Sequence, residues 1–202
     1  MKRRAFLLGA PALLAACSTK PTVFEDPAVV ANAFRANEGP PRLEVFTSFN
    51  VSSDNGAHSA LFIHSDQRVV FDPAGTFKHP QLPEQHDVIF GMSPNARKAF
   101  VDYHTRLTYW TAMQSFEVPA STAAWVLAEV RKLGPVPDAF CTRSISGVLE
   151  AAPGMPVRVK QVWFPNKLHD QLVGQPGVVR NEFRQFDDAD KEKFWENNTL
   201  RI

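Results

Sequence analysis

The sequence predicts an α+β fold, in which an antiparallel sheet packs against a helix that begins at a cysteine. Residues 43–72 hold short β-branched and aromatic runs separated by polar turns, which is typical of antiparallel strands. Residues 137–149 carry apolar side chains four, seven and eight positions after Cys141, so they share one helix face with it. A chain of 202 residues that is 44% hydrophobic is long enough for one domain with a sizeable core.

Residues 1–16 predict an export signal peptide, because a basic start precedes a short apolar run and a small-residue ending. The ending Leu14-Ala15-Ala16-Cys17 resembles the lipobox of bacterial lipoproteins, in which the cysteine is acylated. Ser18 resembles the residue that directs such proteins to the outer membrane. We therefore expect a lipid anchor at Cys17 that holds the protein on the periplasmic side of the cell envelope. The alternative is an ordinary signal peptide with an incidental cysteine.

The rest of the chain divides into a connecting segment and one domain. Residues 17–41 are rich in small, polar and proline residues, which predicts a lipidated N-terminus and a tether, and the domain follows over residues 42–202. The formal charge of +1 falls to −2 once the three positive charges of Lys2, Arg3 and Arg4 are removed. Without a basic run along the domain, we expect no nucleic-acid partner.

Residues 57–72 predict a β-hairpin with a three-residue turn. If His64 pairs with Arg68 across that turn, Asp72 lies diagonal to His58 at about 7–8 Å between backbones, within reach of its imidazole. This places a carboxylate and a histidine side by side. The alternative is that neither residue has a catalytic role, so that His58 is a histidine at a strand edge and Asp72 is a turn residue.

The remaining elements follow from period-two and helical spacing. They are a strand over 43–49, a strand over 86–92, a helix over 94–104, a strand over 105–118, a helix capped by Ser121 and ended by Gly134 and Pro135, a strand over 157–164, a helix over 165–172 and a strand over 178–183. The apolar face of the helix capped by Ser121 is predicted to carry Val126, Val130 and Leu133.

Within residues 137–149, the predicted helix begins at Cys141, after the helix-start residues Pro137 and Asp138. Unpaired backbone N–H groups and the positive end of the helix dipole favour a thiolate at that place. Once Cys17 is acylated, Cys141 is the only thiol left, so no internal disulfide forms. A lone thiol in an oxidising compartment is either deeply buried and inert or a nucleophile, and both interpretations stay open here.

The order of these elements resembles circularly permuted members of the NlpC-type, papain-like cysteine hydrolase superfamily, which includes lecithin retinol acyltransferase-like proteins. Three stretches carry the resemblance: Gly56-Ala57-His58-Ser59-Ala60-Leu61-Phe62-Ile63, Val69-Val70-Phe71-Asp72 and Phe140-Cys141-Thr142-Arg143-Ser144-Ile145. Many relatives have asparagine at the position of Phe140. The resemblance implies a papain-like fold with Cys141 as nucleophile, His58 as its base and Asp72 as the group that orients the imidazole.

We therefore expect a cysteine-dependent hydrolase or acyl transferase acting on an amide or ester, with peptidoglycan peptide as the first substrate to consider. The alternative is a non-catalytic envelope lipoprotein that uses the same fold for binding, with Cys141 merely packed. No cofactor is expected. No metal site is expected either, since the pairs His58/His64 and His79/His86 lack the spacing of a metal motif on a helix.

Overall fold

The computed structural model describes residues 23–186, 188–189 and 193–194. The predicted signal peptide, Cys17 and Ser18 lie outside these residues. Within them the chain forms seven strands and five helices. In chain order they are α1 (Pro27–Asn32), β1 (Arg42–Asn50), β2 (Gly56–His64), β3 (Arg68–Phe71), β4 (Glu84–Gln85), β5 (Val88–Ile89), α2 (Pro94–His104), β6 (Tyr109–Glu117), α3 (Ala120–Lys132), α4 (Cys141–Ala151), α5 (Pro165–Leu172) and β7 (Val179–Phe183).

The seven strands form one sheet in the order β4-β5-β3-β2-β1-β6-β7, and every neighbouring pair is antiparallel. The predicted α+β class is therefore confirmed. β1 and β2 are nine residues long, whereas β3 has four, and of β2 it pairs only with Leu61 to His64. The first half of β2, which carries His58, thus extends beyond the part that β3 covers.

Helices cover both faces of the sheet, because alternate side chains of its central strands are apolar on both sides. On one face Leu61 and Ile63 join a core with α3, α4 and α5. α4 contributes Ile145, Val148 and Leu149, the face predicted from the sequence. The other face packs against α2 through a second core, built around Phe46, Phe62, Val70, Phe100 and Met113.

Residues 23–41, which include most of the segment assigned to a tether, lie against the edge of the sheet. Phe24 forms an antiparallel bridge with Gln85, and Ala36 forms one with Gln67. This segment therefore contacts the edge strand β4 and the β2–β3 turn.

The prediction of one strand over residues 86–92 is wrong, because only Val88–Ile89 form a strand there. β4 and β5 form a tight hairpin, and its turn residues His86 and Asp87 both have positive φ, 48° and 64°. Two consecutive positive φ angles are typical of the hairpin turns that match strand twist. Neither residue is a glycine, so the sequence carried no clear signal for a turn at this place.

The strand predicted over residues 157–164 is also wrong. Side-chain amides take the place of a neighbouring strand there: the Lys160 N–H donates to Gln171 Oε1 at 2.7 Å, and Gln171 Nε2 donates to the Lys160 carbonyl at 3.0 Å. Gln175 makes the same pair of bonds to Arg158. The segment is extended, but α5 and the turn after it satisfy its backbone.

Two further boundaries differ. α3 has Pro119 at its N-cap with no side-chain cap, so Ser121 is not the capping residue, and Leu133 is exposed. β6 begins only at Tyr109, not at residue 105.

Candidate active site

Cys141 is the first residue of α4, as predicted. The chain turns sharply before it, because Ala139 has a φ of 66°, in the left-handed region that non-glycine residues seldom adopt. The N-cap residue Phe140 offers no side-chain cap. The first-turn N–H groups are therefore not capped by a side chain at the end of the helix where the thiol lies.

His58 and Asp72 come together through the hairpin register predicted from the turn length. His64 pairs with Arg68, and the pairing continues to Leu61 opposite Phe71. Asp72 follows directly, and its Oδ1 lies 2.6 Å from His58 Nε2. Because a carboxylate oxygen accepts, Nε2 carries the proton of this bond. The carboxylate is buried, whereas 17% of the His58 side chain is exposed.

A β-bulge orients His58. Ser48 pairs with His58 and the next residue of β1, Phe49, pairs with Gly56, so Ala57 is the extra residue of β2. Gly56 lies against the start of α5, where a Cβ atom would come within 2.5 Å of the Asn166 backbone nitrogen. The bulge is thus held between β1 and α5.

The Cys141 sulfur lies among polar groups of β2 and α4. The Thr142 hydroxyl lies 3.8 Å from it, and the Ser59 backbone N–H also favours its ionised form. Ser59 Oγ and Thr142 Oγ1 are 3.1 Å apart, which ties the strand to the helix. The His58 side chain also interacts with the thiol and favours its ionised form. The three residues expected from the sequence therefore lie together in one site.

These contacts shift both ionisable groups of the pair. Burial alone would raise the pKa of Cys141, but the hydrogen bond and charge of His58, with the bonds from Ser59 and Thr142, leave it lowered. Burial alone would lower the pKa of His58, but the charge and hydrogen bond of Asp72, followed by Cys141, raise it to about 9. Both shifts favour a thiolate beside an imidazolium.

His104 is a fourth member of the site that the sequence did not single out. It ends α2 and is 3% exposed, and its ring stacks on His58 at 5.6 Å with 15° between the planes. Its Nδ1 donates to the Phe100 carbonyl at 2.8 Å. A signal was present, since His104 lies one helical turn after Phe100, on the apolar face of the predicted helix.

A cavity of about 200 Å³ opens beside His58. Its lining residues are Ser48, Ala57, His58, Ala74, Gly75, Thr76, His104 and Tyr109. Cys141 is not among them, and it is 7% exposed. The imidazole is therefore more accessible than the thiol.

Aromatic side chains lie exposed next to the thiol. Phe140 packs edge-on against Trp163 at 5.0 Å, and the Arg143 guanidinium lies 4.5 Å from the centre of the same indole. Trp163 is 49% exposed and Phe164 66%. Phe140 thus faces an exposed aromatic cluster, and its side chain supplies no polar group at the start of the cysteine helix.

The other histidines singled out in the sequence lie away from this site. His64 lies at the far end of β2, 3.4 Å from a carboxylate oxygen of Glu44. His79 and His86 are in the loop after β3 and in the β4–β5 turn.

No known protein family, curated protein or solved structure matched this chain. In the described part of the chain, no helix combines the length and hydrophobicity needed to cross a bilayer.

Proposed function

We propose that this protein is a cysteine-dependent hydrolase or acyl transferase that acts on an amide or ester in the cell envelope. The observation that carries this proposal is that the His58 imidazole interacts with the Cys141 thiol, whose ionised form it favours, and also bonds to the Asp72 carboxylate at 2.6 Å. A nucleophile, a base and a group that orients the base are the arrangement that covalent acyl transfer requires. Peptidoglycan peptide is the first substrate to test.

In the first half of the reaction the Cys141 thiolate attacks the acyl carbonyl carbon. A carbon–sulfur bond forms as the carbonyl π electrons move to oxygen, where first-turn N–H groups of α4 are in a position to stabilise the negative charge. The intermediate then collapses, and the bond to the leaving amine or alcohol breaks. His58 gives that leaving group its proton, which leaves a thioester on Cys141 and a neutral imidazole.

In the second half, His58 takes a proton from water or from an acceptor hydroxyl or amine, which attacks the thioester. The carbon–sulfur bond breaks and the thiolate returns beside the imidazolium. Asp72 holds Nε2 throughout, so Nδ1 is the ring nitrogen that exchanges the proton. Water as the acceptor gives hydrolysis, and another nucleophile gives transfer.

The proposed fold is the papain-like arrangement in its permuted, NlpC-type form. Three features support it: the histidine strand precedes the cysteine helix in the chain, the aspartate follows the next strand, and α4 packs on the antiparallel sheet. The proposed location is a lipid anchor at Cys17 on the outer membrane, which is supported by the sequence motif alone.

One observation favours the second candidate, a binding module with an inert thiol. Cys141 is 7% exposed and does not line the neighbouring cavity. A thiol in a packed core has this exposure as well. Reactivity therefore separates the two functions better than geometry does.

The test is the rate of iodoacetamide alkylation against pH, in the full chain carrying Cys17→Ser, so that Cys141 is the single thiol. We expect a midpoint below that of a free thiol, because the thiolate is stabilised. His58→Ala should move the midpoint to higher pH, and Asp72→Asn should move it in the same direction by less. A thiol that reacts only after denaturant is added contradicts the hydrolase and favours the binding module.

A further inference from the structure

Three side chains with metal-binding atoms lie close together, and two of them line the cavity beside β2. His58, Asp72 and His104 each offer one such atom, and these atoms all lie within 4.8 Å of one another. His104 and Asp72 are buried, and His58 is partly exposed. The three residues come from β2, the end of β3 and the end of α2, so the fold and not a local motif brings them together.

The orientation of His104 is the one that metal-binding histidines usually have. Its Nδ1 donates to the Phe100 backbone carbonyl at 2.8 Å, which leaves the lone pair of the neutral ring on Nε2. A metal-ligating histidine commonly donates its second nitrogen to a carbonyl in this way, and the bond fixes both tautomer and ring orientation. The Phe100 carbonyl lies one turn before His104 in the same helix, so the orientation of the His104 ring is fixed.

The site also has room and an approach for an ion. The cavity of about 200 Å³ is lined by both histidines, and Thr76 and Tyr109 are on its wall. It exceeds the volume that a water molecule occupies, about 30 Å³, so an ion can keep a water ligand there. Asp72 Oδ1 now lies 2.6 Å from His58 Nε2. An ion between them displaces the Nε2 proton, to solvent from an imidazolium or to Nδ1 in a neutral ring, and replaces that hydrogen bond with two coordination bonds.

We propose that His58, Asp72 and His104 bind a divalent transition-metal ion and that the bound ion silences Cys141. Two imidazoles and a carboxylate suit Zn²⁺ and its neighbours in the first transition row, whereas Mg²⁺ and Ca²⁺ prefer sites built of oxygen alone. A neutral imidazole coordinated through Nε2 carries its proton on Nδ1, so Nδ1 of His58 can no longer accept a proton from the thiol, and the ring is held in place. The silencing rests on the proposed function, but the binding does not.

The experiment measures Zn²⁺ binding by titration calorimetry, in the full chain carrying Cys17→Ser. We expect one ion per chain. His104→Phe keeps an aromatic ring in the same packing and should weaken binding at least about tenfold. His169→Phe is the matched control, because it changes another buried histidine outside the cluster, and it should bind Zn²⁺ as before. Equal binding by both variants, or no binding to the parent, overturns the proposal.

A second measurement keeps all three proposed ligands, so it does not depend on whether the histidine variants fold. Co²⁺ replaces Zn²⁺ in the unaltered cluster, and its visible absorption reports ligand number and geometry. We expect the strong bands of a four- or five-coordinate site, unchanged by Cys141→Ser because the thiol is not a proposed ligand. The weak spectrum of six-coordinate aqueous cobalt contradicts a site at this cluster.

The effect of the ion on Cys141 is tested by measuring the rate of iodoacetamide alkylation with Zn²⁺ present and again after a chelator is added. Zn²⁺ should slow the reaction in the His169→Phe protein and much less in the His104→Phe protein, and the chelator should restore it. A thiol that is inert before Zn²⁺ is added contradicts the proposed function and leaves the calorimetric result standing. Zn²⁺ that binds without changing alkylation contradicts the silencing.

Discussion

Gly75 lies directly against the Asp72 carboxylate, and a Cβ atom at position 75 would overlap that carboxylate. The Gly75 N–H also donates to the Asp72 backbone carbonyl at 3.0 Å, which closes the turn after β3. The glycine is required here for space, since the missing side chain lets the turn fold back over the carboxylate. The Gly75 backbone therefore restricts the position of the Asp72 carboxylate, which bonds to His58.

Gly75→Ala should therefore disturb the site without removing any of its polar groups. The added methyl pushes the carboxylate away from His58, so the midpoint of Cys141 alkylation should shift to higher pH, as in Asp72→Asn. Crowding of this kind costs about 1–3 kcal/mol of unfolding free energy. Gly39→Ala is the control, because its nearest neighbour would be at an ordinary 3.5 Å. An unchanged midpoint in Gly75→Ala argues against a role for this contact.

The charge of His58 should make stability depend on pH. Its pKa rises from 6.5 to about 9 on folding, chiefly through Asp72 against the opposing effect of burial. The stabilisation is complete below about pH 6.5 and is lost as the pH rises through about 9. Asp72→Asn should therefore lower the unfolding free energy clearly at about pH 7 and much less at about pH 10.

Urea unfolding at the two pH values measures this difference. The control is Asp66→Asn, which changes an exposed aspartate in the β2–β3 turn and should have the same small effect at both. If the effect of Asp72→Asn stays constant from about pH 7 to about pH 10, His58 does not carry the charge described here.

Ala139 holds a backbone conformation that glycine adopts at lower cost. Its φ of 66° is in the left-handed region, where a Cβ costs about 1–2 kcal/mol. Ala139→Gly removes that strain but gains flexibility when unfolded, so a net stabilisation of up to about 1 kcal/mol is expected. Thermal unfolding measures the change, with Ala128→Gly inside α3 as a control that should destabilise. A loss of stability in Ala139→Gly as large as in the control contradicts the assignment of strain.

Lipid attachment is tested on the sequence motif that ends at Cys17. Expressed in a bacterium, the protein should incorporate labelled fatty acid and sediment with membranes, and Cys17→Ser should abolish both. Cys141→Ser is the matched control and should keep the label. An unlabelled parent protein in the soluble fraction excludes the anchor.

The hairpin register was predictable because turn length and period-two alternation are local properties of the chain. They placed Asp72 beside His58, and the structure has this contact. The cysteine at the start of a helix was predictable for the same reason, from helical spacing alone. By contrast, the β4–β5 turn carries no glycine, and the segment over 157–164 is extended because glutamine side chains bond its backbone.

The sequence by itself determined the α+β class, the hairpin that carries His58 and Asp72, and the position of Cys141 on its helix, since each depends on neighbours within about twenty residues. Tertiary structure alone decided the contact of Cys141 with His58, across 83 positions of chain, through the packing of α4 on β2. It also decided the place of His104, which reaches the site because α2 covers the opposite face of the sheet. A side chain's periodicity shows that it is buried, but only the packing of helices on the sheet decides which residues it meets.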